Sequence, residues 1–244
     1  MARVPGMRIR RIRESRAMRG TLLVFVAAAL VAGVIGCSGS DTKHKVDSSG
    51  ACGDAMGERG ADWLRGRVDA YGGVIFRDGE EVERAQALFR KQVESWDPER
   101  GAVVNFGRTD ICQVTGRSAE PGDSLQVRFG PSTYSFRFPF GEPSRYLDRQ
   151  SVAESNSSVR LVWGRLGERG NVAYRTYVKC KVEGAAPEQE LQVPLQGTMT
   201  DTLPTADSPR SHFRHLLHAT RVVVDGLGCT NKPVVPLEVP AAVP

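Results

Sequence analysis

Apart from its first 36 residues, this chain has no excess of positive charge. The full sequence of 244 residues carries 33 lysines and arginines against 28 aspartates and glutamates, a formal charge of +5. Seven of the arginines and only one acid, Glu14, lie in residues 1–36, so the remainder holds 26 basic and 27 acidic residues and a net charge of −1. A basic domain is the electrostatic footprint of nucleic-acid binding, and its absence argues against nucleic acid as a partner. Histidine is equally sparse, with four residues, one at position 44 and three at 212, 215 and 218. A histidine-based enzyme therefore has few places for its base. There is no Gly-x-Ser-x-Gly elbow, no His-Glu-x-x-His and no phosphate-binding glycine loop ending in Lys-Ser/Thr. No Cys-x-x-Cys occurs, which argues against a redox dithiol or a zinc knuckle, and no internal repeat is visible.

What is present begins with an export pattern. Residues 1–20 are arginine-rich, and residues 21–36 contain no charge. This order is that of a secretory signal peptide, and the apolar run falls short of the roughly 20 residues of a comfortable membrane-spanning helix. Met18-Arg19-Gly20 and the run behind it already make a complete signal, so Met1, Met7 and Met18 are all workable starts. The run closes on Val34-Ile35-Gly36-Cys37, which resembles the lipobox of bacterial lipoproteins. The resemblance implies that the Cys37 thiol takes diacylglycerol as a thioether and that cleavage falls between Gly36 and Cys37. Small Gly36 would give the peptidase access to the scissile carbonyl, and Val34 supplies the apolar residue of the motif. It further implies a protein held at the outer face of the cytoplasmic membrane, with two acyl chains, each methylene worth ~0.8 kcal/mol, giving a stable anchor. Beyond that covalent lipid no cofactor is expected. Ser40-x-x-Lys43 matches a penicillin-binding motif only by chance, because it stands in a polar spacer at 37–50.

The globular part is expected at 51–230, followed by a proline-rich extended tail at 231–244. Asp78 and Glu81 read as a capping box for a helix with Val82, Ala85, Phe89, Val93 and Trp96 on one face, stopped at Asp97-Pro98. Ser208-Pro209 opens a C-terminal helix whose stripe is Phe213, Leu216, Leu217, Val223, Val224 and Leu227. A weaker helical region covers Cys52 to about Arg67, with Ala55, Met56, Trp63 and Leu64 as apolar positions and Gly57, Gly60 and Gly66 against it. Between them the pattern alternates. Leu125–Phe129 and Tyr134–Phe138 read as a hairpin, followed by strands at Val159–Trp163, Val172–Val182 and Leu191–Leu195. The expected fold is α+β, an antiparallel meander of about five strands packed by the N-terminal helical region and the C-terminal helix.

Five cysteines less Cys37 leave Cys52, Cys112, Cys180 and Cys229, an even number for an oxidising compartment. Three connectivities exist. Cys52–Cys112 with Cys180–Cys229 is favoured, since the first ties the opening helix to the stretch before the sheet. The second ties the last helix to the long strand.

Three groups of residues carry candidate chemistry. His212, His215 and His218, at spacings of three, are a weak metal or pH-sensing set. At about 100° per residue, His215 and His218 fall opposite the buried stripe and are expected to be exposed. Tyr134, Phe136, Phe138 and Phe140 form an aromatic stripe. It reads first as a buried sheet face and second as a stacking platform for a sugar, with Arg128, Arg137 and Arg145 nearby. Arg175, Lys179 and Lys181 share a strand face with Tyr177, expected to be solvated or turned to a partner or membrane.

Short stretches after the spacer resemble uncharacterised actinobacterial, streptomycete-type secreted lipoproteins: Ala51-Cys52-Gly53, Thr109-Asp110-Ile111-Cys112, Tyr177-Val178-Lys179-Cys180-Lys181-Val182 and Asn231-Lys232-Pro233-Val234-Val235-Pro236. That resemblance implies an extracytoplasmic location and paired cysteines, and it brings no activity. The leading expectation is a membrane-anchored binding or interaction module for an envelope component or partner protein. An envelope-acting enzyme without a recognisable motif, and a metal or pH sensor through the helix histidines, are the alternatives.

Overall fold

In the computed structural model, the described residues are 50–244 apart from 101–104, 119–121, 143–149, 167–170 and 204–206. Val34, Ile35, Gly36, Cys37, Ser40, Lys43 and Arg145 lie outside them. The elements in chain order are α1 (Ala51–Val68), β1 (Val74–Asp78), α2 (Val82–Glu94), β2 (Thr109–Gly116), β3 (Leu125–Pro131), β4 (Ser151–Glu154), β5 (Val159–Leu166), β6 (Asn171–Val178), α3 (Gln189–Gln192), β7 (Leu195–Asp201) and α4 (Pro209–Leu227). The expected α+β class holds, but the sheet has seven strands rather than five, all antiparallel, in the order β1-β2-β3-β7-β6-β5-β4. Two meanders, β1–β3 and β4–β7, meet where β3 pairs with β7. Among the described residues no helix is long and apolar enough to cross a membrane.

The hairpin expected at Leu125–Phe138 does not form. β3 runs on through Gly130 and Pro131 to pair with Gln196 and Leu195 of β7. The chain must then pass from the middle of the sheet to its edge at β4, and the described residues 132–142 lie on the face opposite α1, α2 and α4. Tyr134–Phe140 form turns on that route, closed by bonds such as Phe138 N–H to Ser135 O at 3.0 Å. The alternating aromatics therefore do not mark a strand. Phe136 and Phe140 bury against Val162 and Tyr177, and Arg160 Nη1 holds the turn by donating to Phe136 O and Phe138 O at 2.9 and 2.8 Å. Tyr177 is thus covered rather than solvated, while Lys179 caps the Phe136 ring at 4.5 Å. The cluster answers to the buried reading of the aromatic stripe.

Two further boundaries move. β6 stops at Val178, because beyond it the buried Gln189 side chain replaces a neighbouring strand. Gln189 Oε1 accepts from Val182 N–H at 3.0 Å, and its Nε2 donates to Cys180 O and Val193 O at 3.2 and 3.1 Å. The strand expected at Leu191–Leu195 is instead α3 followed by β7. Asp78 falls at the end of β1 rather than at a helix start; α2 begins after Glu81, without a side-chain cap.

α1, α2 and α4 cover the other face of the sheet. α4 is the helix the sequence describes. The Ser208 hydroxyl accepts from Ser211 N–H at 3.1 Å, Pro209 occupies the first turn, and Gly228 closes the helix in the left-handed region. Phe213, Leu216, Leu217, Val223 and Leu227 are at most 3 % exposed, each side chain contributing roughly 1.5–3 kcal/mol through burial. In the middle of this interface Thr176 and Thr220 share a hydrogen bond of 2.8 Å. Thr220 already donates to Leu216 O, so Thr176 is the donor.

Two disulfides brace this arrangement, with the favoured connectivity. Cys52–Cys112 joins α1 to β2 and Cys180–Cys229 joins the exit of β6 to the end of α4, at Cα separations of 4.6 and 5.1 Å. The proline-rich segment 231–244 has no regular structure, yet it packs on the domain rather than ending at residue 230. Val235 and Val243 are buried, and Asn156 Nδ2 and Arg210 Nη1 hold Val234 O and Val239 O at 2.8 and 3.0 Å.

Candidate functional site

The site grows from a close approach of α1 to α4. α1 breaks at Gly57, whose φ of +66° and ψ of 173° are not helical. A Cβ there would lie 2.7 Å from His218 Nε2, and one at Gly60 would lie 3.6 Å from His215 Nδ1. Gly57 and Gly60, two of the three glycines that weigh against a helix in the sequence, thus let the two helices touch, and tertiary packing overrides their low propensity. The histidines expected at the surface face this contact. His212 is 1 % and His215 8 % exposed, and His218 is half-buried.

Each ring has its own partner. His215 stacks on Trp63 of α1 with centroids 4.4 Å apart, and His212 stacks on Tyr174 of β6 at 4.1 Å. His212 Nε2 lies 2.7 Å from Asp201 Oδ2 and Nδ1 lies 2.8 Å from Ser208 O. The same Asp201 carboxylate pairs with Arg67, both side chains no more than 7 % exposed. With both ring nitrogens engaged, His212 has none left to take a proton from a nucleophile, as the middle member of a catalytic triad must. The Asp201–His212 pair is a structural clasp between β7, α1 and α4. Among the described residues no group of three or more His, Cys, Asp or Glu side chains converges on a metal-sized point.

Electrostatics sharpen the division of roles. Burial, with a further push from Asp201, raises the Tyr174 hydroxyl to about 12. Burial opposes ionisation of Asp207, yet hydrogen bonds from Trp63 Nε1 at 2.8 Å, from the Ser208 N–H and from Ser211 outweigh it and hold the carboxyl below its ordinary range. Burial, with repulsion from Arg214, lowers His215 from 6.5 to about 4, and burial with Arg221 lowers His218. His215 is therefore neutral at physiological pH and too weak a base for acid–base work there.

Such a shift is also a stability statement. Between about pH 4 and 6.5 the unfolded chain takes up a proton that folded His215 refuses. The contribution is complete above 6.5 and fades as pH falls toward 4, by roughly 2–3 kcal/mol. Urea unfolding at neutral pH and at about pH 4.5 should show a larger loss for the native chain than for His215→Gln. Equal losses would remove His215 as the titrating group.

Above these buried rings, α1, α4 and residues 237–241 enclose an open groove of about 1370 Å³. Arg59, Arg210, Arg214 and Arg221 line it, against only two acids, Glu58 and Glu238. Among the described residues the guanidinium groups of Arg59, Arg214 and Arg221 make no hydrogen bond or ion pair. A second hollow of about 510 Å³ beside β2 balances its own charges, Glu80 lying 3.9 Å from Arg84 and Asp110 pairing with Arg128. Of the two hollows, it is the groove that gathers unpaired positive charge.

Of the residues singled out in the sequence, the structure brings His215 and His218 to the groove floor and buries His212 beside it. Arg59, Arg210, Arg214, Arg221 and the tail wall were not anticipated, and Trp63 was read only as an apolar position of α1. Arg210, Arg214, His218 and Arg221 do fall on one line of a helix in the sequence. The docking of α1 and of residues 237–241 beside that line has no local signal. No family model, curated protein or solved structure matches the chain. Fold and site together define a disulfide-braced α+β domain with a cationic groove beside its C-terminal helix.

Proposed function

We propose that this is an extracytoplasmic lipoprotein, anchored through diacylglycerol on Cys37, whose domain binds an anionic ligand in the groove between α1, α4 and residues 237–241. The observation that carries the ligand half is the set of unpaired arginines, three of them from two helices, around a cleft with only two acids. The tether is supported by the lipobox-like Val34–Cys37 and by the two disulfides, which suit an oxidising compartment. No reaction is assigned, because His212 is fully engaged and His215 is a poor base at neutral pH.

Two outcomes test the reading. Cys37→Ala should leave an unprocessed or soluble form, detected by fractionation and mass spectrometry; an unchanged mature product in the membrane fraction would end the lipoprotein assignment. Ligand captured from native membranes by the full chain should be released as salt approaches about 0.5 M, where charges are screened within a few ångströms. It should also be lost with Arg214→Glu/Arg221→Glu, and capture indifferent to both would move the ligand away from the groove.

A further inference from the structure

Arg210, Arg214, His218 and Arg221 stand at intervals of four, four and three residues along α4, which keeps them on one side of the helix. At 1.5 Å per residue the row spans about 16 Å, with successive side chains about 6 Å apart. Arg59 of α1 lies across the groove from it. Such a row is too long for a single small anion. Burial and Arg221 lower the basicity of His218, so the permanent charges of the row are Arg210, Arg214 and Arg221, about 6 and 10 Å apart along the axis. Such a span suits a chain with several negative groups, as an extended peptide has with carboxylates about 7 Å apart at alternate residues.

The other lining is apolar. Half-buried Trp63 stands on the α1 side, and Leu237, 60 % exposed, with half-buried Val239 on the tail side. A polymer of bare phosphates would satisfy the arginines and leave these surfaces wet, whereas a peptide alternating acidic and apolar residues covers both. A lipid surface is broad and would meet the rims of the cleft rather than its floor. Main-chain pairing along the tail wall is limited, since Pro236 and Pro240 remove two of its N–H donors. Recognition therefore falls to side chains, with guanidinium forks reading carboxylates.

Resting on the proposed groove, we infer that its ligand is an acidic, partly apolar segment of another protein, bound in extended form along the α4 arginine row. The test uses the full chain in nanodiscs of zwitterionic lipid and isothermal titration calorimetry. The probes are a short synthetic peptide with glutamate at every second position and leucine or alanine between, its glutamine counterpart, linear polyphosphate, and vesicles containing phosphatidylglycerol.

The inference requires that the glutamate peptide bind and that the glutamine peptide bind at least about ten-fold more weakly, since charge-assisted pairs are lost. It also requires a similar loss with Arg214→Glu/Arg221→Glu, in protein whose thermal unfolding is unchanged. Arg214→Lys/Arg221→Lys should recover part of the affinity, because charge is kept and only the fork geometry is lost. Polyphosphate or anionic vesicles binding as tightly as the glutamate peptide, with the same dependence on the arginines, would overturn the peptide assignment and leave the anion-binding groove standing. Binding of no probe, or binding indifferent to charge reversal, would overturn both.

Discussion

Replacing Asp201 with alanine should lower the unfolding free energy by about 3–5 kcal/mol, the loss typical of breaking one side of a buried ion pair. Asp201 ends β7, and its carboxylate accepts from Arg67 of α1, from His212 Nε2 of α4 at 2.7 Å, and from Leu203 N–H at 2.9 Å. Its removal takes the principal counter-charge from a guanidinium that is 7 % exposed, and an acceptor from an imidazole that is 2 % exposed. The Coulomb energy lost is only part of the penalty. The larger part is that the partners stay buried, unable to recover their hydration. The control is Asp110→Ala, which breaks a pair with Arg128 whose side chains are each more than two-fifths exposed; it should cost no more than about 1 kcal/mol. Urea midpoints of the two variants give the comparison. Equal small losses would mean that the α1–β7–α4 clasp is hydrated and contributes little.

The second large effect is expected on removing the Cys180–Cys229 bridge. Its sequence separation of 49 residues corresponds to about 4 kcal/mol of stabilisation in the chain-entropy description. Cys180→Ala/Cys229→Ala should nonetheless retain the fold, because the same junction is laced by hydrogen bonds. Thr230 N–H donates to Lys181 O at 2.9 Å, while the Asn231 side chain accepts from Lys181 N–H at 3.0 Å and donates to Lys179 O at 2.7 Å. The double variant is thus expected to keep its far-ultraviolet spectrum while its urea midpoint falls sharply, and the native protein in reductant should move the same way. A midpoint unchanged in both would show that these hydrogen bonds, and not the bridge, hold α4 to β6.

What the sequence makes legible follows from how local each signal is. α4 is readable from end to end because its cap, first-turn proline, apolar stripe and closing glycine are all properties of one segment. The cysteine pairing is readable because only three connectivities exist and each pair joins elements that have reason to touch. The sheet is less readable. β1 and β4 are only five and four residues long, a bulge between Asp110 and Cys112 breaks the alternation of β2, and the pairing of β3 with β7 spans some 70 residues. Tyr134–Phe140 imitate a strand because a connection laid across a sheet also turns alternate residues inward. The histidines mislead for a related reason. A helical projection shows which side is opposite the apolar stripe, but α1 covers that side too, on the two glycines that seemed to disfavour it. The groove is legible only as a row of basic residues on α4, since two of its three walls come from segments more than 150 residues apart.

The groove is tested most directly by site-specific photocrosslinking, with the full chain produced in its native cells. A photoreactive residue replaces Leu237, which is 60 % exposed in the groove wall, or in a control Ile75, 40 % exposed on the edge strand β1. An adduct is expected from position 237, none from position 75, and loss of the adduct when Arg214→Glu/Arg221→Glu is introduced alongside. An adduct of equal yield from position 75, or one at position 237 that survives the charge reversal, would contradict the assignment of the groove as the binding site.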